Sequence, residues 1–141
     1  MSEVSPAMHE EFELEYMMPI FERFGAVYYG CCEPLHLKTE MIRKYPNVRK
    51  ISMSPWANKR IGAEKLGSDY VMSIKPNPAF LAFDHFEKEN AVKEIVEALD
   101  ACRGNKTPCE IILKDLTTVK SDLSRLIEWS DLIMKVAEDY E

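Results

Sequence analysis

The sequence predicts an α/β fold in which parallel strands are covered by helices. Three observations predict it. Short apolar runs alternate along the chain with stretches whose apolar residues recur at helical spacing. Gly, Pro and Asn punctuate nearly every junction. No linker or low-complexity tract interrupts the series, so residues 1–141 read as one domain. Strict alternation of this kind gives a parallel sheet. Four strands suit either a small open doubly wound sheet or half of an eight-stranded β/α barrel, which takes roughly 250 residues when whole. Pattern alone favours the open sheet.

Ser5-Pro6 predicts a helix start, with Ser as N-cap and Pro in the first turn. Phe12, Tyr16, Ile20 and Phe24 follow at every fourth residue on one face, Gly25 closes the helix, and Pro19 is expected to kink or divide it. Strand one spans 26–31. Residues 35–44 form a short helix, strand two is Val48 to Met53, and a helix over 58–66 ends at Gly67. Strand three, 70–74, stops at Lys75-Pro76-Asn77-Pro78, since proline cannot continue a ladder. The next helix starts near Asp84, carries Val92, Ile95, Val96 and Leu99 as its apolar stripe, and stops at Gly104-Asn105. Strand four is 109–113. A last helix from Asp122 carries Leu123, Leu126, Ile127, Ile133, Met134 and Ala137.

Composition excludes some functions. A net charge of −6, with no Lys/Arg block, argues against nucleic acid, which needs a basic surface. No apolar run reaches the roughly 20 residues of a membrane span. The start Met1-Ser2-Glu3-Val4-Ser5-Pro6 has no signal-peptide pattern, so a cytoplasmic location is expected. Cys31, Cys32, Cys102 and Cys109 then read as reduced thiols. His9 and His85 sit on polar stretches and read as surface residues, and His36 reads the same way, with ligation as its alternative.

In either architecture the C-terminal ends of the strands share one rim, where α/β proteins place their sites. Gly30-Cys31-Cys32-Glu33 gathers two thiols and a carboxylate there, donors that suit zinc. The alternative is a cysteine serving as a small buried hydrophobe. Alternation puts Cys31 and Glu33 on one face and Cys32 on the other. Ser52-Met53-Ser54-Pro55-Trp56 ends strand two, and Lys75 and Asn77, held by prolines, offer a cation and a neutral donor for an anion. No G-x-S-x-G, Walker A or G-x-G-x-x-G sequence occurs.

Taken in order, Tyr28-Tyr29-Gly30-Cys31-Cys32-Glu33-Pro34, Ser52-Met53-Ser54-Pro55-Trp56 and Lys75-Pro76-Asn77-Pro78 resemble the uroporphyrinogen decarboxylase-like superfamily, close to its cobalamin-dependent methyltransferases. The helix segments Ser5-Pro6, Glu11-Phe12 and Phe21-Glu22-Arg23-Phe24-Gly25 extend the resemblance over nearly the whole chain. It implies four βα units of a parallel (β/α) barrel, the C-terminal half of a TIM barrel. It also implies a metal-thiolate methyltransferase, or a decarboxylase-like lyase, once the other half is present. Zinc would be held by Cys31, Cys32 and Glu33, with methyl transfer linked to a corrinoid protein carrying cobalamin. Lys75, Asn77, Ser54 and Trp56 would contact substrate. Where these methyltransferases carry His-x-Cys, Tyr29 stands at the histidine position, and strand four has no rim cysteine. A half-barrel leaves its edges open, so a homodimer or a partner supplying the N-terminal half is expected. Two competing readings are a non-catalytic truncated paralogue acting as a binding or assembly subunit, and an open-sheet domain that holds an anion at Lys75.

Overall fold

A computed structural model describes residues 4–140. Met1 to Glu3, part of the stretch read above for a signal pattern, and Glu141 lie outside the described residues. Strands β1 (Val27–Tyr29), β2 (Val48–Met53), β3 (Val71–Ile74) and β4 (Cys109–Ile111) form one parallel sheet in the order β1-β2-β3-β4. That order decides the architecture. A doubly wound sheet reverses its strand order at a switch point, whereas strands laid down in chain order, joined by right-handed crossovers, place every helix on the same face. The chain is therefore α/β with a sheet of the partial β/α-barrel kind, as the resemblance implied and against the open doubly wound sheet that pattern alone favoured.

The covering layer consists of α1 (Pro6–His9), α2 (Glu15–Phe21), α3 (Thr39–Ile42), α4 (Lys59–Leu66), α6 (Lys88–Asn105) and α7 (Ser124–Glu138), with a short α5 (Ala79–Ala82) after β3. Ile51, Met53, Met72 and Ile74 are fully buried, in one core with Ala63 and Leu66 of α4 and Ile95, Ala98 and Leu99 of α6. Each large apolar side chain so buried contributes about 1.5–3 kcal/mol. Gly62 of α4 lies against the Met53 side chain, where an added Cβ would meet Sδ at 3.1 Å. The strands' other face is polar.

Local starts and stops follow the residues. Ser5 caps α1, its hydroxyl accepting from Met8 N–H at 3.2 Å, and Asn58 caps α4 in the same way through Ile61 N–H at 3.1 Å. Gly67 closes α4 with φ of 53°, a conformation glycine adopts freely. Helix α6 starts at Lys88 rather than near Asp84 and runs through Gly104 and Asn105, ending where Lys106 turns left-handed.

Two expected faces are corrected. The first helix divides upstream of Pro19, through a π-helical turn at Glu10–Leu14, and Phe12, Tyr16, Ile20 and Phe24 are exposed. The inward face carries His9 and Phe21 instead, with Leu14, Met17 and Met18 packed beside them. On α7 only Ile133 and Arg125 are buried, while Ile127 and Met134, and Leu123 just before the helix, are exposed. The helix has more apolar residues than this layer can cover.

Arg125 ties α7 to the segment after β3. Its guanidinium donates to the carbonyls of Leu81 at 2.9 Å, Phe83 at 2.6 Å and Asp84 at 2.8 Å. Arg125→Met leaves those carbonyls unmatched and is expected to cost about 2–4 kcal/mol. Urea unfolding checks this, with the midpoint falling and the slope unchanged.

Candidate functional site

Parallel pairing brings the C-terminal ends of the four strands to one rim, as the alternation required. The sequence-predicted residues there fare differently. Cys31 leans on the core and its Sγ accepts a hydrogen bond from Glu33 N–H at 3.4 Å, while Cys32 is exposed. Among the described residues no three His, Cys, Asp or Glu side chains are gathered to hold a metal ion. Cys31, Cys32 and Glu33 are thus adjacent in sequence without forming a ligand set. Strand β1 ends at Tyr29, short of the expected 31, so these three residues lie in an irregular bend rather than on the strand's edge.

Ser54 is buried, with no hydrogen-bond partner for its hydroxyl among the described residues, and Trp56 projects with 70% of its surface exposed. Asn77 turns inward on its own loop, Oδ1 accepting from Ala79 N–H at 3.0 Å. Two helical residues fix these loops. Lys59 Nζ donates to the carbonyls of Ser54, Pro55 and Ala57 at 2.8, 2.9 and 3.2 Å, and Glu94 accepts from Asn77 N–H at 2.8 Å. The two charges face each other at 3.8 Å. Burial holds the Lys59 ammonium below its ordinary pKa and pushes the Glu94 carboxyl above its own.

A polar network lies on the sheet face turned away from the helices. The register sets Tyr28 beside Lys50, Ser52 beside Ser73, and Ser73 beside Glu110. Tyr28 O–H donates to Ser73 Oγ at 3.0 Å, and Lys50 Nζ pairs with Glu110 Oε2 at 2.6 Å. Ser52 Oγ donates to the Cys31 carbonyl at 3.1 Å, which ties the rim to this face. Two ammonium groups lie over the Tyr28 ring, Lys50 Nζ at 5.4 Å and Lys75 Nζ at 5.8 Å from its centroid. Lys50 has a carboxylate partner; Lys75 makes no ion pair among the described residues. Burial raises the Glu110 pKa, but hydrogen bonding to Lys50 and Ser73 and the nearby charges of Lys50 and Lys75 outweigh it and hold the carboxyl below its ordinary range. Glu110 Oε1 itself is buried and has no hydrogen-bond partner among the described residues. The set therefore presents a cation beside the Tyr28 ring and, at Glu110, an unmatched acceptor.

Sequence reasoning missed Tyr28, Lys50, Ser73 and Glu110. For Lys50, Ser73 and Glu110 the signal was the polar residues that interrupt the apolar runs of β2 to β4. It also misplaced His9, which is buried rather than on the surface. His9 Nε2 bonds Glu13 and lies 3.0 Å from the Tyr29 hydroxyl, which donates to Glu13 Oε1 at 2.6 Å. The helix face that docks on β1 carries these groups inward, and burial with the Glu13 hydrogen bond pushes the Tyr29 phenol up. His36 is partly buried, its Nδ1 accepting from Asn58 N–H at 3.4 Å, and burial lowers its pKa. His85 lies on the surface as expected.

Comparison with family models, with curated proteins and with solved structures finds no match to this chain.

The Lys50–Glu110 pair yields a pH signature. A carboxyl held below its unfolded pKa adds stability above that value, and the gain disappears as pH falls through the folded value. Both side chains are about 30% exposed, so solvent screens the pair. Glu110→Gln is expected to lower stability by about 0.5–1 kcal/mol at pH 7, with the difference from the unmodified chain closing below about pH 4. Urea titrations at stepped pH read this directly.

Proposed function

We propose that this chain is the half of a β/α-barrel enzyme, of the uroporphyrinogen decarboxylase-like kind, that carries the substrate-facing polar wall. The observation that carries the reading is the Tyr28–Ser73 and Lys50–Glu110 network on the helix-free side of a sheet in chain order. In a barrel that side becomes the interior, and its C-terminal end becomes the mouth where barrel enzymes do their chemistry. Lys75 supplies an open cation and Glu110 Oε1 an open acceptor, so the substrate is an organic carboxylate that also carries a hydrogen-bond donor. Trp56, exposed at the same rim, offers an apolar surface for the substrate's body.

The missing wall comes from a second copy or from a partner bearing the N-terminal half. The exposed Ile127 and Met134 of α7, with Leu123 just before it, support such a contact. Corrinoid-linked methyl transfer is the form of the reaction that the sequence resemblance favours. Cys31, Cys32 and Glu33 do not by themselves fit zinc, so a metal at Cys31 requires donors from the other half, and no step is assigned to it.

Citrate, a tricarboxylate that also bears a hydroxyl, serves as the test ligand. Titration followed by amide chemical shifts is expected to move residues of β2, β3 and the Lys75 loop. Lys75→Met should weaken binding about tenfold, the loss of one charge-assisted contact, while Arg60→Met on the exposed side of α4 should leave it unchanged. Equal loss in both variants, or no shift at all on the polar face, sinks the reading. Metal analysis after zinc loading tests the thiolate form separately: bound zinc that Cys31→Ser removes supports it, and zinc-free protein counts against it.

A further inference from the structure

The cluster beneath the first helices lies on the covered side of the sheet, apart from the network on its open face. His9 ends α1, Glu13 belongs to the π-helical turn, Tyr29 ends β1, and Tyr45 follows α3. Their polar atoms converge on the Glu13 carboxylate. Its Oε1 accepts from the Tyr29 hydroxyl at 2.6 Å and from the Tyr45 hydroxyl at 3.4 Å. Its Oε2 bonds His9 Nε2, which in turn lies 3.0 Å from the Tyr29 hydroxyl. The phenol rings are stacked with centroids 5.7 Å apart. His9, Tyr29 and Tyr45 are buried, whereas Glu13 keeps 19% of its side chain exposed, which gives the cluster an entrance.

Two features set this cluster apart from ordinary core filling. Phenylalanine at 29 and 45 would occupy nearly the same volume without a polar atom to satisfy. The π-helical turn at Glu10–Leu14 is the second feature, since such turns are rare and recur at functional sites. The donor set then has a definite chemistry. Donors about 2.0–2.1 Å from one metal ion, at right angles to each other, stand roughly 2.9 Å apart. The separations here run from 2.6 to 3.4 Å. Two of the four donors are phenols, so only a cation that takes phenolate finds a full ligand set. Once deprotonated, the set holds three negative charges, one from Glu13 and one from each phenolate. A trivalent ion cancels them and a divalent ion leaves a buried charge unmatched. Burial, followed by Glu13, pushes both phenols above their ordinary pKa, so displacing their protons takes a strongly Lewis-acidic ion.

We propose that His9, Glu13, Tyr29 and Tyr45 form a binding site for ferric iron, with both tyrosines bound as phenolates. The ion enters beside Glu13 and the two phenolic protons leave to solvent. His9 binds through Nε2 and carries its proton on Nδ1. Water or a small anion fills the remaining coordination positions, and iron stays ferric throughout.

Ferric nitrilotriacetate, added in equimolar amount to the purified chain at pH 7, tests this. The chelate keeps iron in solution, and phenolate coordination gives a visible charge-transfer band that carboxylate or water coordination does not. The expected result is such a band, saturating at one iron per chain and growing as pH rises, because binding releases protons. Tyr29→Phe and Tyr45→Phe keep their rings in the stack, and each should weaken iron binding about tenfold or more and diminish the band. Tyr16→Phe, on the exposed side of α2, should leave both unchanged. Urea midpoints establish that each variant is folded. Absence of the band in the unmodified chain overturns the proposal without any variant. So does a band that persists undiminished in either folded variant of Tyr29 or Tyr45.

Discussion

The constraint on which the structure depends is the order of its strands. Four parallel strands in chain order, linked by crossovers of one hand, confine the helices to a single side. Each strand must then present two different surfaces from one alternating sequence. Ile51 and Met53 of β2, with Met72 and Ile74 of β3, serve the helical side and are completely buried. Lys50, Ser52 and Ser73 take the positions between them. A one-residue slip would drive Lys50 of β2 or Ser73 of β3 into the core, so the register is held by burial on one side and by polar pairing on the other.

That division also governs how the rim is built. The loops that leave β2 and β3 are not free coils, because Lys59 and Glu94 reach them from the helical layer. Both charges are largely withdrawn from water, and they face each other at 3.8 Å while each is satisfied by loop backbone. Their burial is tolerable because the carbonyls of Ser54, Pro55 and Ala57 solvate the ammonium and the Asn77 amide solvates the carboxylate. The helices thereby fix the loop shapes, and Lys75 is left to extend along the polar face with Tyr28 beneath it.

Much of this was legible in the sequence, and what was not has identifiable causes. Strand β2 lies where its apolar run placed it, from Val48 to Met53, and β1, β3 and β4 lie inside their expected spans. Strand order is a non-local property, and no run of residues encodes it. The first helix misled because Phe12, Tyr16, Ile20 and Phe24 make a regular apolar row, while the face that docks is led by His9 and includes Glu13. A polar cluster satisfied by Tyr29 and Tyr45 cannot be seen from a sequence window, since its partners lie 16 and 32 residues away. The Cys31-Cys32-Glu33 cluster misled in a related way: density along the chain is not convergence in space. The polar network is the converse case. Its members are scattered from Tyr28 to Glu110, and only the register makes them neighbours.

The network's internal accounting explains why its open valences matter. A sheet face without helices could be stabilised by apolar residues waiting for a partner, or by polar residues that satisfy one another. Here Lys50 neutralises Glu110, and the Tyr28 hydroxyl is matched by Ser73, so most of the face is self-sufficient. A purely structural solution would have matched every group, since a buried acceptor left alone costs about 1–3 kcal/mol. Glu110 Oε1 is such an acceptor among the described residues, and Lys75, beside the Tyr28 ring, makes no ion pair among them. Two unmatched groups of opposite sense, held on a rigid sheet beside residues that are fully matched, define the positions a complementary ligand would fill.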